Sequence, residues 1–178
     1  MSSRTRDLSL TLHILASIGW FGAVLAFLAL AIAGLTNPAP RLAAASYLAM
    51  QLATRYAILP LCFASLATGI IQSLATRWGL FRHYWVVIKL VLTLLATAVL
   101  LLHTRPIDQL ATLAGHADIA PADHHALRVQ LVFDASAALI VLVTATALAV
   151  YKPRGLTRRG LRTLRASAPP ATAAPPVR

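Results

Sequence analysis

Four long hydrocarbon runs organise the chain. Leu8 to Leu35 is apolar apart from Ser9, Thr11, His13, Ser17 and small glycines; Tyr56 to Ala75, Tyr84 to Leu102 and Leu131 to Tyr151 follow. Each reaches roughly the 20 residues that carry a helix across about 30 Å of hydrocarbon at ~1.5 Å per residue. A lone strand would leave its backbone polar groups unpaired in lipid, so the spans are helices. The pattern predicts an all-α, polytopic membrane protein: a compact bundle of four transmembrane helices over about 8–35, 47–76, 84–103 and 122–151, within a domain at 1–152. An outer loop at 104–121 joins the third helix to the fourth. Pro60 falls inside the second run and should kink that helix rather than end it. The first run exceeds the roughly 7–15 apolar residues of a signal peptide, so it is expected to remain as a helix.

Composition sharpens this picture. The chain is 58% hydrophobic and 12% charged, with mean hydropathy +0.73; a soluble domain carries about a quarter charged residues. Arg4, Arg6, Arg77, Arg82, Lys89, Lys152, Arg154, Arg158, Arg159, Arg162, Arg165 and Arg178 fall at one end of the expected bundle, and only Arg41, Arg55, Arg105 and Arg128 at the other. The positive-inside rule then places both termini in the cytoplasm. Trp78, Phe81, Tyr84 and Trp85 bracket the expected cytoplasmic turn as interfacial aromatics do. The Ala and Arg bias suits a high-GC bacterium, hence a multi-pass protein of the bacterial cytoplasmic (inner) membrane.

The net charge of +11 does not point to nucleic acid. It follows the topology, and no zinc motif or basic-aromatic module accompanies it. Residues 153–178 are basic, Pro/Ala-rich and free of acids, so a disordered cytoplasmic tail is expected, its arginines attracted to anionic lipid headgroups. Cys62 is the single cysteine and lies in an apolar run, as a small buried hydrophobe would.

Small residues predict close packing. Gly19 with Ala23, and Gly22 with Ala26, stand four apart on the first helix; Ala138 and Ala145 share the face of Asp134 on the fourth. Asp134 sits about one turn inside the outer end of its helix, where a carboxylate needs a partner. Arg55 is expected at a similar level, so an intramembrane Arg55–Asp134 pair is predicted, with Gln130 joining it. Lys89 is expected to snorkel back to the cytoplasmic interface.

The stretch "HADIAPADHHALRVQLVFD" at 116–134 gathers titratable groups that the rest of the chain lacks. "TRPIDQLATLAG" before it reads as a short surface helix, capped by Thr104 and stopped at Gly115. Pro121 and Asp123 suit the start of the fourth helix. His103, His116, Asp118, Asp123, His124 and His125 then form an outward-facing cluster of imidazole and carboxylate, the ligand set of zinc or copper(II). The same histidines allow a second cofactor. His13 and His83 on the inner side, with His103 and His124 or His125 on the outer side, would make two haem b levels.

"LHILASIGWFGAVLAFLALAIAGL" and "WGLFRHYWVVIKLVLTLLATAVLLLH" resemble a group of uncharacterised bacterial four-helix integral membrane proteins, which is itself similar to the copper-resistance D membrane domain. The likeness covers roughly residues 8–151 and rests on an early His in helix one, a Trp-Gly turn and a basic residue in helix three. It implies copper handling, with His13, His83 and His103 as the positions to watch.

Three function classes stay open: a metal-binding membrane protein, a b-type membrane cytochrome in electron transfer, and an accessory subunit of a membrane complex or homo-oligomer. Enzyme catalysis finds no support, since no nucleophile–base pair, paired Glu or phosphate loop is readable.

Overall fold

The computed structural model describes residues 3–75, 81, 83–115, 124–153, 155–157 and 161. Its regular elements are α1 (Ser3–Thr36), α2 (Pro40–Ala53), a single π-helical turn (Thr54–Ile58), α3 (Leu59–Ala75), α4 (Tyr84–Gly115) and α5 (His125–Tyr151). Among the described residues four helical rods are long and apolar enough to cross a membrane, α2 and α3 together counting as one.

The rods alternate in direction. His13 on α1 meets Ser65 and Thr68 on α3, while Gly34 near the other end of α1 lies against Tyr47 on α2. Gln51 bonds Asp108 and Cys62 bonds Thr97, so α4 runs back along the same rod. Contacts link α1 to α2, α3 and α5, and α4 to α2 and α5. The order around the bundle is therefore α1, then α2 with α3, then α4, then α5. One end of the bundle holds the first residues of α1 and α4; the opposite end, with Thr36, Pro40, Gly115 and His125, is called the far end below.

Pro60 does not end the second rod, as expected. Proline has no N–H and its ring crowds the carbonyl four residues back, here Tyr56. The chain widens into the π-turn immediately upstream and continues as α3. The start of this rod is earlier than the apolar run suggested: Pro40 at the first turn suits helix initiation, and Asn37 Oδ1 accepts the Ala39 N–H at 2.9 Å.

The expected break between helix three and a separate surface helix at "TRPIDQLATLAG" is absent. α4 runs unbroken to Gly115 with Pro106 inside it. Pro106 removes the N–H that would bond the Leu102 carbonyl, and beside it His103 Nδ1 donates to Val99 O and Thr104 Oγ1 to Leu101 O, both at 2.8 Å. Thr104 is thus a helix-interior residue and not a cap. Residues 155–157, expected in a disordered tail, lie against the start of α4: Leu156 bridges His83, and Gly155 O accepts the Tyr84 N–H.

The core is formed by Trp20, Val24, Phe27 and Ala31 from α1, Tyr47, Met50, Ile58 and Cys62 from the second rod, Ile107, Leu110 and Ala114 from α4, and Leu131, Ala135 and Leu142 from α5. On α1 these positions recur every three to four residues, a single helical face. Dense packing thus occupies the middle and the far half. Towards the other end α3 and α4 barely touch, and polar side chains replace hydrocarbon between the helices.

Candidate functional site

At the far end the extension of α4 decides which charges meet. Asp108, on the part of α4 expected to lie outside the bundle, faces the π-turn and takes Arg55 Nη2 on both carboxylate oxygens at 3.1 Å. Gln51 Nε2, one turn before Arg55, donates to Asp108 Oδ1 at 2.7 Å. The expected Arg55–Asp134 pair therefore does not form. Asp134 belongs to α5, which stands diagonally across from the second rod, with α4 between them.

Asp134 instead meets His103. The imidazole is oriented by its Nδ1, which donates to the Val99 carbonyl, so Nε2 is turned towards α5. Asp134 Oδ2 lies 3.0 Å from Nε2, and Gln130 Nε2, one helical turn away on the same face, lies 3.0 Å from the same nitrogen. The carboxylate oxygen is buried and makes no hydrogen bond. Gln130 joins Asp134 as expected, but around His103 and not around Arg55.

His124 and His125 are exposed at the start of α5. His124 adopts a left-handed conformation (φ 56°), uncommon for a residue with a Cβ. Its side chain borders an open cavity of about 520 Å³ lined also by Asp108, Gln109, Thr112, Leu113 and Leu127. His116, Asp118, Pro121 and Asp123 lie outside the described residues. Among the described residues no three His, Cys, Asp or Glu side chains come together as a metal-ligand group. Arg128, which figured in the sequence only as a topological charge, is buried with its guanidinium 5.6 Å above the Tyr47 ring.

The other end holds the second constellation. His13 Nδ1 lies 3.1 Å from Ser65 O and 3.0 Å from Thr68 Oγ1, and its Nε2 lies 3.4 Å from Lys89 Nζ. A carbonyl only accepts, so Nδ1 carries the proton and Nε2 accepts from the lysine. Ser17 and Ser65 hydroxyls are 2.8 Å apart one turn further in. Lys89 thus reaches across the bundle to α1 instead of snorkelling outward. Both ring nitrogens of His13 are engaged within the bundle, and the backbone of His83 bridges Leu156.

No family model, no curated protein and no solved structure matches this chain.

The arrangement must therefore be read from its own chemistry. The far end offers an imidazole nitrogen with a buried carboxylate oxygen and an amide nitrogen each 3.0 Å from it. The opposite end offers a cation, an imidazole and hydroxyls. The i, i+4 spacings Ser9–His13–Ser17 on α1 and Lys89–Thr93–Thr97 on α4 put polar atoms on one face each, a signal that was present in the sequence but was masked by the surrounding leucines. Asp108 falls on α4 because the third helix does not end near His103 before a separate surface helix from Thr104 to Gly115, as the sequence suggests, but runs on through Pro106.

Proposed function

We propose that the chain is a multi-pass integral membrane protein of the bacterial cytoplasmic membrane, both termini inside, which binds a divalent metal ion, copper or zinc, at the far, outward end of its bundle. Membrane embedding is supported by the inverted polarity of the molecule. Ile18, Leu102, Phe133, Ile140 and Val150 point outward while Ser46, Thr54, Ser65, Thr97 and Arg128 are buried. In water so continuous an apolar exterior would aggregate; in lipid it is the solvated surface. Reporter fusions at the N-terminus, at the 116–123 segment and after Tyr151 test the orientation. Periplasmic activity of either terminal fusion would overturn it.

The observation that carries the metal reading is the His103–Asp134 contact. An imidazole whose Nδ1–H is held by a backbone carbonyl presents Nε2 as a ligand, the usual outer-shell support of a metal-binding histidine. Ligands at ~2.0–2.2 Å on tetrahedral corners stand roughly 3.3 Å apart. The 3.0 Å separation of His103 Nε2 and Asp134 Oδ2 needs only a small opening to admit an ion. Gln130 supplies a third donor, its amide oxygen, after an amide rotation; His124 and His125 are exposed donors at this end, and His116, Asp118 and Asp123 of the intervening sequence complete the proposed set. The resemblance to the copper-resistance D domain supports copper among the candidates.

Metal analysis and titration of purified, untagged protein test this reading. Near-stoichiometric copper or zinc, weakened by at least about the 10–100-fold that loss of an outer-shell partner costs when either ligand is removed in His103→Ala or Asp134→Asn, is expected. Metal-free protein with no affinity for either ion overturns it, as does binding that survives both substitutions. Gly22 and Ala26 on α1 are exposed with open space at the glycine; that face would suit a second copy or a partner subunit. Cross-linking that finds only monomers would remove that addition.

A further inference from the structure

We propose that the cleft between α3 and α4, at the end opposite the His103–Asp134 contact, binds a phosphate oxyanion through Lys89, Gln72 and Ser9. Lys89 is a cation among helices, partly covered and partly reachable from outside. A carboxylate would be its natural partner, yet the chain has no Glu and five Asp. Asp7 is beside Arg6, Asp108 holds Arg55 and Asp134 meets His103. Asp118 and Asp123 lie in the sequence between Gly115 and His124. The partner Lys89 does have, His13 Nε2, is neutral and takes one proton, leaving the other ammonium donors without a negative charge.

Two further donors lie one helical turn from His13 or from the residues that surround it. Ser9 lies one turn from His13 on α1, and Gln72 lies one turn from Thr68 and Gly69, the α3 residues that touch the His13 ring. Ser9 Oγ and Gln72 Nε2 are both buried and neither makes a hydrogen bond. Such atoms are rare in native proteins, since leaving each unpaired costs about 1–3 kcal/mol. A hydroxyl, an amide N–H and an ammonium each supply a donor to an anion with several oxygens. α3 and α4 approach each other less closely than α2 and α4 do, and Lys89 is only partly covered, which gives a ligand access to its ammonium. Arg4 and Arg6 at the same end raise the local concentration of anions.

The oxyanion can come from the headgroup of an anionic phospholipid or from free phosphate. The lipid source rests on the membrane reading, the free source does not, and neither involves the proposed metal site. Native mass spectrometry of detergent-purified protein with phosphatidylglycerol, against phosphatidylcholine as reference, tests the first; calorimetric titration with inorganic phosphate tests the second. One anion per chain in either arm is expected. Lys89→Met and Gln72→Leu should each weaken binding at least tenfold, while Lys89→Arg keeps it within a few-fold. His103→Ala should leave binding unchanged. A thermal transition like that of the parent shows that each variant is folded; should Lys89→Met not fold, Gln72→Leu decides. Phosphatidylglycerol binding that inorganic phosphate does not displace identifies the lipid source, and direct phosphate binding identifies the free one. The proposal is overturned if the parent binds neither probe above the phosphatidylcholine level. It is equally overturned if folded Lys89→Met or Gln72→Leu binds as the parent does, or if Arg4→Gln with Arg6→Gln abolishes binding that Lys89→Met retains.

Discussion

Arg55 Nη2 sits 3.1 Å from both carboxylate oxygens of Asp108, joining the π-turn of the second rod to the far third of α4. Both side chains remain well exposed, 58% and 41%. Charged pairs of this kind contribute about 0–1 kcal/mol. Their position is more informative than their strength: the pair records that α4 continues beyond Pro106, because only that continuation brings Asp108 opposite Arg55.

Arg55→Ala should therefore lower stability by no more than about 1 kcal/mol. Asp108→Ala should cost more, about 1–2 kcal/mol, because it also strips the acceptor from Gln51. Denaturation in detergent of the two single variants and the double variant gives the coupling. A coupling energy of several kcal/mol would show the pair to be desolvated rather than exposed.

Two glycines on α1 should respond in opposite ways. A Cβ on Gly34 would lie 2.8 Å from Tyr47 Cζ. That ring is itself fully packed, so Gly34→Ala should destabilise by about 1–3 kcal/mol. A Cβ on Gly22 meets nothing within 4 Å, and Gly22→Ala should stabilise by up to about 1 kcal/mol through helix propensity. Thermal melts of the two variants distinguish the faces directly; destabilisation by Gly22→Ala would mean that another surface already covers it.

Tyr47 Oη is buried without a hydrogen bond. Removing it in Tyr47→Phe leaves no partner unsatisfied and keeps the ring face beneath Arg128, so the melting temperature should hold or rise slightly. Tyr47→Ala opens a cavity at the centre of the α1–α2 contact and should cost about 3–5 kcal/mol. Equal losses from the two substitutions would show that the hydroxyl holds a bond.

Cys62 is buried and contacts Thr97 Oγ1 at 3.1 Å. Thr97 already donates to Thr93 O, so the thiol is the donor in this contact. Its sulfur should resist maleimide in the folded protein and react after denaturation; rapid labelling of the folded chain would contradict this packing.

Hydropathy alone located all four rods, because hydrocarbon runs of this length have one stable backbone solution in lipid and the signal accumulates over some twenty residues. Their interruptions were less legible. Pro60 and Pro106 carry the same local instruction, yet one is accommodated by a π-turn ahead of it and the other sits within an unbroken α-helix. The outcome depends on how the neighbouring turns are already held.

Polar partnerships were the part that only the tertiary structure decided. Which residues are polar, and that Asp134 needs a partner at depth, follows from the sequence. That Asp134 meets His103, Arg55 meets Asp108 and Lys89 meets His13 follows from the order of helices around the bundle and the rotation of each about its axis. A rotation of one residue, about 100°, moves a side chain to another neighbour without changing the apolar run that defines the helix. Hydropathy is summed along the chain and is blind to that rotation; a pair of charges only a few ångströms apart is governed by it.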